Sequence, residues 1–371
     1  MRAGLDHIIR LDYLDFNFKH LKDFASNELI FMVKANAYGH GLEDIALFAQ
    51  NELDVKNFGV ASIGEGVKLS QILTDDVRVF IFSDTGLLFE EGRDKIASHK
   101  VIPVLSSLEE LKIFFKDSRF KHYPFVLKVN TGMNRLGLDE WEMEEVIAQI
   151  KLAGRKSITH LMGHFSQSYF EVQTGDSTQQ QLKKFQNYKK VFTDHGIEIN
   201  ETSHANSGAI EQKLALTETH IRPGLMLYGP PSVGVLKKQK RLWKGKLISH
   251  LKTNIIHMRK LKKGDSIGYG NSKLTEDAMI AFLPLGYGDG FLTYYTGQEI
   301  SSSLGTLKIF GRINMDITQV ILPKGSKARV GDEVTFFNDI EEFLSFCKAT
   351  QSISYQVLTS LSSRVPRSYL L

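Results

Sequence analysis

The chain has 371 residues, 42% of them hydrophobic and 24% charged, which supports a large core and is comfortable for two domains. Its net charge of +4 is small and scattered, and the short cluster Lys237, Lys238, Lys240 and Arg241 carries no interleaved aromatics, so no nucleic-acid partner is expected. The single cysteine, Cys347, excludes an internal disulfide and fits a reducing compartment. The opening stretch MRAGLDHIIRLDYLDF is broken by charges too often for a signal peptide's apolar core. No window approaches the roughly 20 apolar residues of a membrane span, so the expectation is a cytoplasmic protein with no membrane partner.

In chain order, eight apolar or β-branched runs come first: LIFMVKA, FGVASI, VRVFIFS, VIPVLS, PFVLKVN, ITHLMGHF, IEINETSHA and HIRPGLMLYG. Amphipathic stretches of helical period separate most of them, as at Trp141 to Ala153 and Gln179 to His195. Such alternation predicts parallel strands with crossover helices. Eight units in this length predict a (β/α)8 TIM-type barrel over residues 1–234. After YGPPSVG the helical pattern mostly stops. Strand-like runs follow at LISHLKTNIIHMRKL, MIAFLPLGYGDGF, GTLKIFGRI, DITQVILP and DEVTFF, with turns at Lys263-Gly264-Asp265 and Gly331-Asp332. This predicts a mainly β domain over residues 235–371, with a short helix after Asn338.

In a barrel of this kind chemistry sits at the C-terminal ends of the strands, and Lys34 falls at the end of the first. From position alone two readings stand. One is a lysine that snorkels to solvent; the other is an amine desolvated enough to form an imine.

The stretch KANAYGHG, residues 34 to 41, resembles the cofactor-attachment motif of the alanine racemases. The resemblance implies pyridoxal 5'-phosphate held covalently by Lys34, with the Tyr38 hydroxyl turned to the cofactor phosphate. LKVNTGMNRLG resembles the fifth-strand motif: Arg135 would face the cofactor's phenolic oxygen, and Lys128 matches a lysine often carbamylated. Carbamylation turns a cation into an anion and would hold Arg135 in place. Asn130 and Asn134 stand where aspartate and glycine are commoner. MGHFSQS places His164 beside the ring. SHANSGA offers Asn206 and Ser207 to the phosphate, a role compatible with capping a helix. IRPGLMLYG sets Arg222 against the pyridine nitrogen and gives the backbone N–H groups of Gly224 and Leu225 to the phosphate. An arginine there leaves the nitrogen unprotonated, which disfavours side reactions such as transamination.

In the second domain, DSIGYGN resembles the catalytic-tyrosine motif, with Tyr269 as that tyrosine. LGYGDGF places Tyr287 at the entrance, with Gly288 where alanine is usual. GRINMD offers the Met315 backbone N–H to the substrate carboxylate, supported by Asp316. Ser363 stands where many relatives carry a phosphate-binding tyrosine, and an entrance arginine expected near Leu292 and Thr293 is absent.

The resemblance spans nearly the whole chain. It implies an alanine racemase that interconverts L-alanine and D-alanine and supplies D-alanine for peptidoglycan. Lys34 would serve the D-alanine face and Tyr269 the L-alanine face, in a homodimer whose sites are shared between subunits. Bringing a tyrosine from its ordinary value of about 10 down to near 7 takes about 4 kcal/mol, at about 1.36 kcal/mol per pKa unit. A chain Arg222–His164–Tyr269 could contribute. Competing readings are a racemase of serine or lysine, a basic amino-acid decarboxylase, and a non-catalytic pyridoxal-phosphate carrier. Arg222 argues against the decarboxylase, and the β domain against the carrier.

Overall fold

A computed structural model describes residues 4–84, 86–170, 176–233 and 241–371. The expected domain division after residue 234, and Lys237, Lys238 and Lys240 of the basic cluster, lie outside the described residues.

The eight sequence runs form one closed parallel sheet. Its order runs from Phe31–Met32 through Asn57–Val60, Arg78–Ile81, Ile102–Leu105, Val126–Lys128, Ser157–Met162 and Glu198–Asn206 to His220–Arg222. The first strand is split at Ile30. Its outer half, Glu28–Leu29, pairs with His220–Arg222, while Phe31–Met32 pairs with Asn57–Val60. The Ile30 N–H donates to the Ile221 carbonyl at 2.9 Å and the Met32 N–H to the Pro223 carbonyl at 3.1 Å, which closes the cylinder. Asn57–Val60 and Ile102–Leu105 are buried along their whole length, as expected of strands covered on both sides.

The crossover helices are fixed by local chemistry. Ile63–Ile72 starts on a capping box: the Ser62 hydroxyl accepts from the Glu65 N–H, and Glu65 accepts in return from the Ser62 N–H. This satisfies donors that no helix can satisfy for itself. Ser107 and Asp176 cap Leu108–Lys116 and Ser177–Asp194 with side-chain oxygens that accept from the Glu110 and Gln179 N–H groups.

The second unit holds two antiparallel-rich sheets and a hairpin. A five-stranded sheet runs His257–Leu261, Ala278–Leu283, Thr318–Ile321, Leu307–Ile309, Glu299–Ile300, and the hairpin joins Ser266–Ile267 to Ser272–Lys273. A four-stranded sheet runs Glu333–Phe337, Ser249–Asn254, Leu5–Arg10, Arg367–Leu370. Leu5–Arg10, counted with the barrel in the sequence reading, therefore sits in this sheet, parallel to the last strand of the chain. Its strict alternation of buried and half-buried residues is that of a strand with one covered face. The run LISHLKTNIIHMRKL is two strands in two different sheets, broken at residues 255 and 256. The helix expected after Asn338 is Ile340–Ala349, capped by Asp339; a further helix, Ser354–Ser360, follows it.

Candidate active site

Lys34 is not the last residue of its strand. The strand ends at Met32, and the four residues after the lysine, Ala35, Asn36, Ala37 and Tyr38, all have φ between 52° and 56°. A run of left-handed residues costs roughly 1–2 kcal/mol each for an L-amino acid. It persists because other groups fix it. Asn36 Oδ1 accepts from the Leu42 N–H at 2.8 Å, and Glu65 Oε1 accepts from the Asn36 N–H at 3.2 Å. The turn leaves Lys34 half-buried at the barrel mouth and drives the Tyr38 ring inward, against Tyr228 at 4.7 Å. Burial, then the nearby Arg135 and Arg222 charges, pull the Lys34 amine below its ordinary value.

Tyr38, Ser207 and Gly224 converge. The Gly224 N–H donates to Ser207 Oγ at 3.0 Å, and a Cβ placed on Gly224 would lie 2.3 Å from the Tyr38 hydroxyl oxygen. Glycine is therefore required here for close approach. Burial pushes the Tyr38 hydroxyl up, so it stays a neutral donor. Asn206 caps the short helix Ser207–Glu211 by accepting from the Ala209 N–H, and Leu225 opens the buried turn Leu225–Tyr228.

Arg222 is 3% exposed and makes no contact with a carboxylate among the described residues. Its partners are Ser203 Oγ at 2.5 Å, the Gly163 and His204 carbonyls at 2.6 and 3.3 Å, and His164 Nδ1 at 3.2 Å. An arginine can only donate, so Nδ1 of His164 accepts and the ring is neutral; burial and the Arg222 charge hold it well below its usual value. Burial lowers Arg222 to about 9, which leaves it cationic at neutral pH. Lys128, 6% exposed, falls to about 8 through burial and the charges of Arg135, Arg222 and Lys34.

Arg135 is carried by the loop after the fifth strand. Asn130 shapes that loop: its Oδ1 accepts from the N–H groups of Gly132 and Asn134, and its Nδ2 donates to Asp139 at 2.8 Å. An aspartate could accept as well but could not donate to Asp139. Asn134 has φ of 54°, a value asparagine tolerates and glycine favours.

These groups line one cavity of about 270 Å³ at the barrel mouth. Among the described residues, its wall holds four basic side chains, Lys34, Lys128, Arg135 and Arg222, and no carboxylate. Four like charges around one cavity, two of them on the buried Lys128 and Arg222, call for an anionic occupant. Phosphate and phenolate groups fit that requirement, beside donors from Tyr38 and Ser207 and an amine able to form an imine. Sequence reasoning missed three members of this wall or its support: Ser168, whose hydroxyl donates to Asn206 Oδ1 at 2.6 Å; Ser203; and Tyr355, which the helix Ser354–Ser360 carries to the cavity from the second unit.

The remaining expected residues lie elsewhere. Tyr269, Tyr287, Met315 and Asp316 line a second cavity of about 1020 Å³, which shares no lining residue with the first. Tyr269 sits in the tight turn of the hairpin, flanked by Gly268 and Gly270 with positive φ, and is 69% exposed. Asp316 is bound at 2.5 Å by Arg364, which also approaches Asp289. A Cβ on Gly288 would lie 2.3 Å from that guanidinium, so the glycine leaves room for Arg364 in this chain. Arg312 also lines this cavity, which is therefore not without arginine. The contact Arg222–His164 is present, but within one chain Tyr269 does not join it.

The family described as alanine racemase, N-terminal domain, matches residues 9–231, and alanine racemase, C-terminal domain, matches residues 248–369. An alanine racemase of Rickettsia bellii is 32% identical over 354 residues, covering 93% of this chain and 82% of the relative. One from Carboxydothermus hydrogenoformans is 30% identical over 378 residues, with 98% of both chains covered. The crystal structure of the biosynthetic alanine racemase from Pseudomonas aeruginosa superposes with a TM-score of 0.85 at 25% identity, covering 100% of both chains. The chain belongs to the alanine racemase family, the pyridoxal-phosphate-dependent isomerases built from a barrel and a C-terminal β domain.

Proposed function

We infer that the chain interconverts L-alanine and D-alanine with two bases, Lys34 from the barrel of one copy and Tyr269 from the β domain of a second. The charge of the barrel cavity, four basic side chains without a carboxylate among the described residues, carries the reading. Bound there, pyridoxal phosphate supplies an electron sink that lowers the cost of breaking the substrate Cα–H bond. Tyr38, Ser207, the Leu225 N–H and the Gly224 N–H, which here donates to Ser207 Oγ, would hold its phosphate. Arg222, cationic at neutral pH, would offer the ring nitrogen a hydrogen-bond donor rather than a carboxylic acid. Arg135 would donate to the phenolic oxygen.

The chain's own groups then move the protons. The Lys34 amine, lowered by burial, takes or returns a proton on one face of Cα. Tyr269 does so on the other, and its high exposure in the single chain fits a residue that awaits a second copy. The Met315 backbone, supported by Asp316, receives the substrate carboxylate, and Tyr287 lines the approach. Lys128 supports Arg135. At about 8 its amine is about one-tenth neutral at pH 7, enough to add carbon dioxide with loss of a proton and become an anion between cations. No helix among the described residues is long and apolar enough to cross a membrane.

A racemisation assay across a panel of L-amino acids, with pyridoxal phosphate supplied, tests this. Alanine is expected to turn over fastest. Faster turnover of serine or lysine would replace the substrate, and no turnover with cofactor bound would favour a carrier. The phosphate cradle has its own test. Gly224→Ala forces a methyl group into the Tyr38 hydroxyl, which cannot retreat because Tyr228 packs against its ring. Cofactor affinity is expected to fall about tenfold or more, on the order of 1.4 kcal/mol, on titration of the apoprotein. Unchanged affinity would contradict the assignment of that cradle.

A further inference from the structure

Inside the barrel, beneath Arg222, lies a buried polar cluster to which the reading above gives no role. Ser203 and Glu201 are two residues apart on one strand and therefore share its face, and Glu201 lies opposite His160 in the sheet register. Ser203 Oγ accepts from Arg222 Nη1 at 2.5 Å and lies 2.6 Å from His160 Nε2. His160 Nδ1 is 3.2 Å from Glu201 Oε2, whose other oxygen accepts from Arg78 Nη1 at 2.8 Å.

Donor chemistry fixes the direction of every link. Arg222 can only donate, so the Ser203 oxygen accepts there; the Glu201 carboxylate can only accept, so a neutral His160 donates from Nδ1 and its Nε2 accepts from the Ser203 hydroxyl. His160 then carries its single ring proton on Nδ1 and donates it to Glu201. Burial, chiefly, brings His160 to about 4, so the ring is neutral as this requires. Glu201 is ionised: burial alone would raise it, but the His160 hydrogen bond and the Arg78 guanidinium outweigh that and hold it at about 2. Three hydrogen bonds thus run the same way, from the buried cation to a carboxylate, and bonds aligned in this manner polarise one another.

We propose that Ser203, His160 and Glu201 are positioning residues for the racemase reaction, orienting the Arg222 guanidinium and supplying its counter-charge through two intervening side chains. The arrangement resolves a conflict. Burying a guanidinium without an anion is costly. A carboxylate in direct contact with it would stand beside the cofactor ring and invite protonation of the ring nitrogen. Placing the anion three hydrogen bonds away, behind two side chains, meets the first need without the second cost. The proposal rests on the reading that Arg222 faces that nitrogen. The cluster is not read as a metal centre. His160, Glu201 and His220 do have ligand atoms within 4.8 Å of one another, but Arg78 already donates to Glu201 and approaches His220 Nε2 at 3.4 Å. A cation already occupies the position a metal would take.

The test uses the holoenzyme and three variants: Ser203→Ala, Glu201→Gln and Arg222→Lys. Two readouts are taken: kcat and KM for alanine, and the pH midpoint of the bound cofactor's visible absorption without substrate. Ser203→Ala is expected to lower kcat about tenfold with KM within about twofold. Glu201→Gln removes a negative charge near the site, so the midpoint is expected to fall, by about half a pH unit or more. A merely structural role would lower the melting temperature and leave both the midpoint and kcat per bound cofactor unmoved, which overturns the proposal. Arg222→Lys separates the layers. If it alters both readouts while the other two variants alter neither, the relay is wrong and the role of Arg222 stands. If Arg222→Lys also alters neither, the underlying reading falls and the proposal with it.

Discussion

Lys34→Ala is expected to abolish racemisation, with a loss of at least about 10⁴-fold in kcat, because one side chain serves both as the covalent attachment and as one of the bases. The fold should survive. Lys34 is half-buried, its amine is penalised by burial and by two neighbouring guanidinium groups, and the left-handed turn after it is tied down by Asn36 and Glu65. Removing the amine relieves a repulsive cluster, so the melting temperature of the apoprotein should not fall. Retained turnover would show that another group makes the covalent link; Lys128 is the only other lysine in the cavity wall among the described residues.

Tyr269→Phe should cost about 10³-fold, the range of a general base lost without change of shape. Its more telling use is in combination. Within one chain the Lys34 and Tyr269 cavities share no residue. If a second copy completes each site, mixing the inactive Lys34→Ala and Tyr269→Phe proteins forms heterodimers with one intact site and one doubly damaged site. Random reassociation then restores about one quarter of wild-type activity. If each chain carried a complete site, the mixture would stay as inactive as its components.

Local pattern made much of this architecture legible. Runs such as Asn57–Val60 and Ile102–Leu105, buried on both faces, announce parallel strands before any contact is known. The residues of the anion cradle were legible because they cluster at strand ends. What the pattern hid depends on distant partners. Leu5–Arg10 is a half-buried strand by its alternation, but nothing local says that it pairs with residues 249–253 and 367–370. The break at Ile255 and Ile256 is invisible because both flanking segments have strand character. The left-handed turn at 35–38 opposes the intrinsic preference of alanine and is fixed by Glu65, about thirty residues on. Ser203, His160 and Glu201 are each unremarkable in sequence; only the closure of the barrel places them in a line. Tyr355 reaches the first cavity from the second unit, which no periodicity could have indicated.

The measurement closest to the central claim is chemical. Holoenzyme reduced with borohydride, digested and mapped by mass spectrometry should carry the pyridoxyl label on the peptide containing Lys34 and nowhere else. Label on the peptide containing Lys128, or none at either lysine, would contradict the assignment of the barrel cavity to the cofactor.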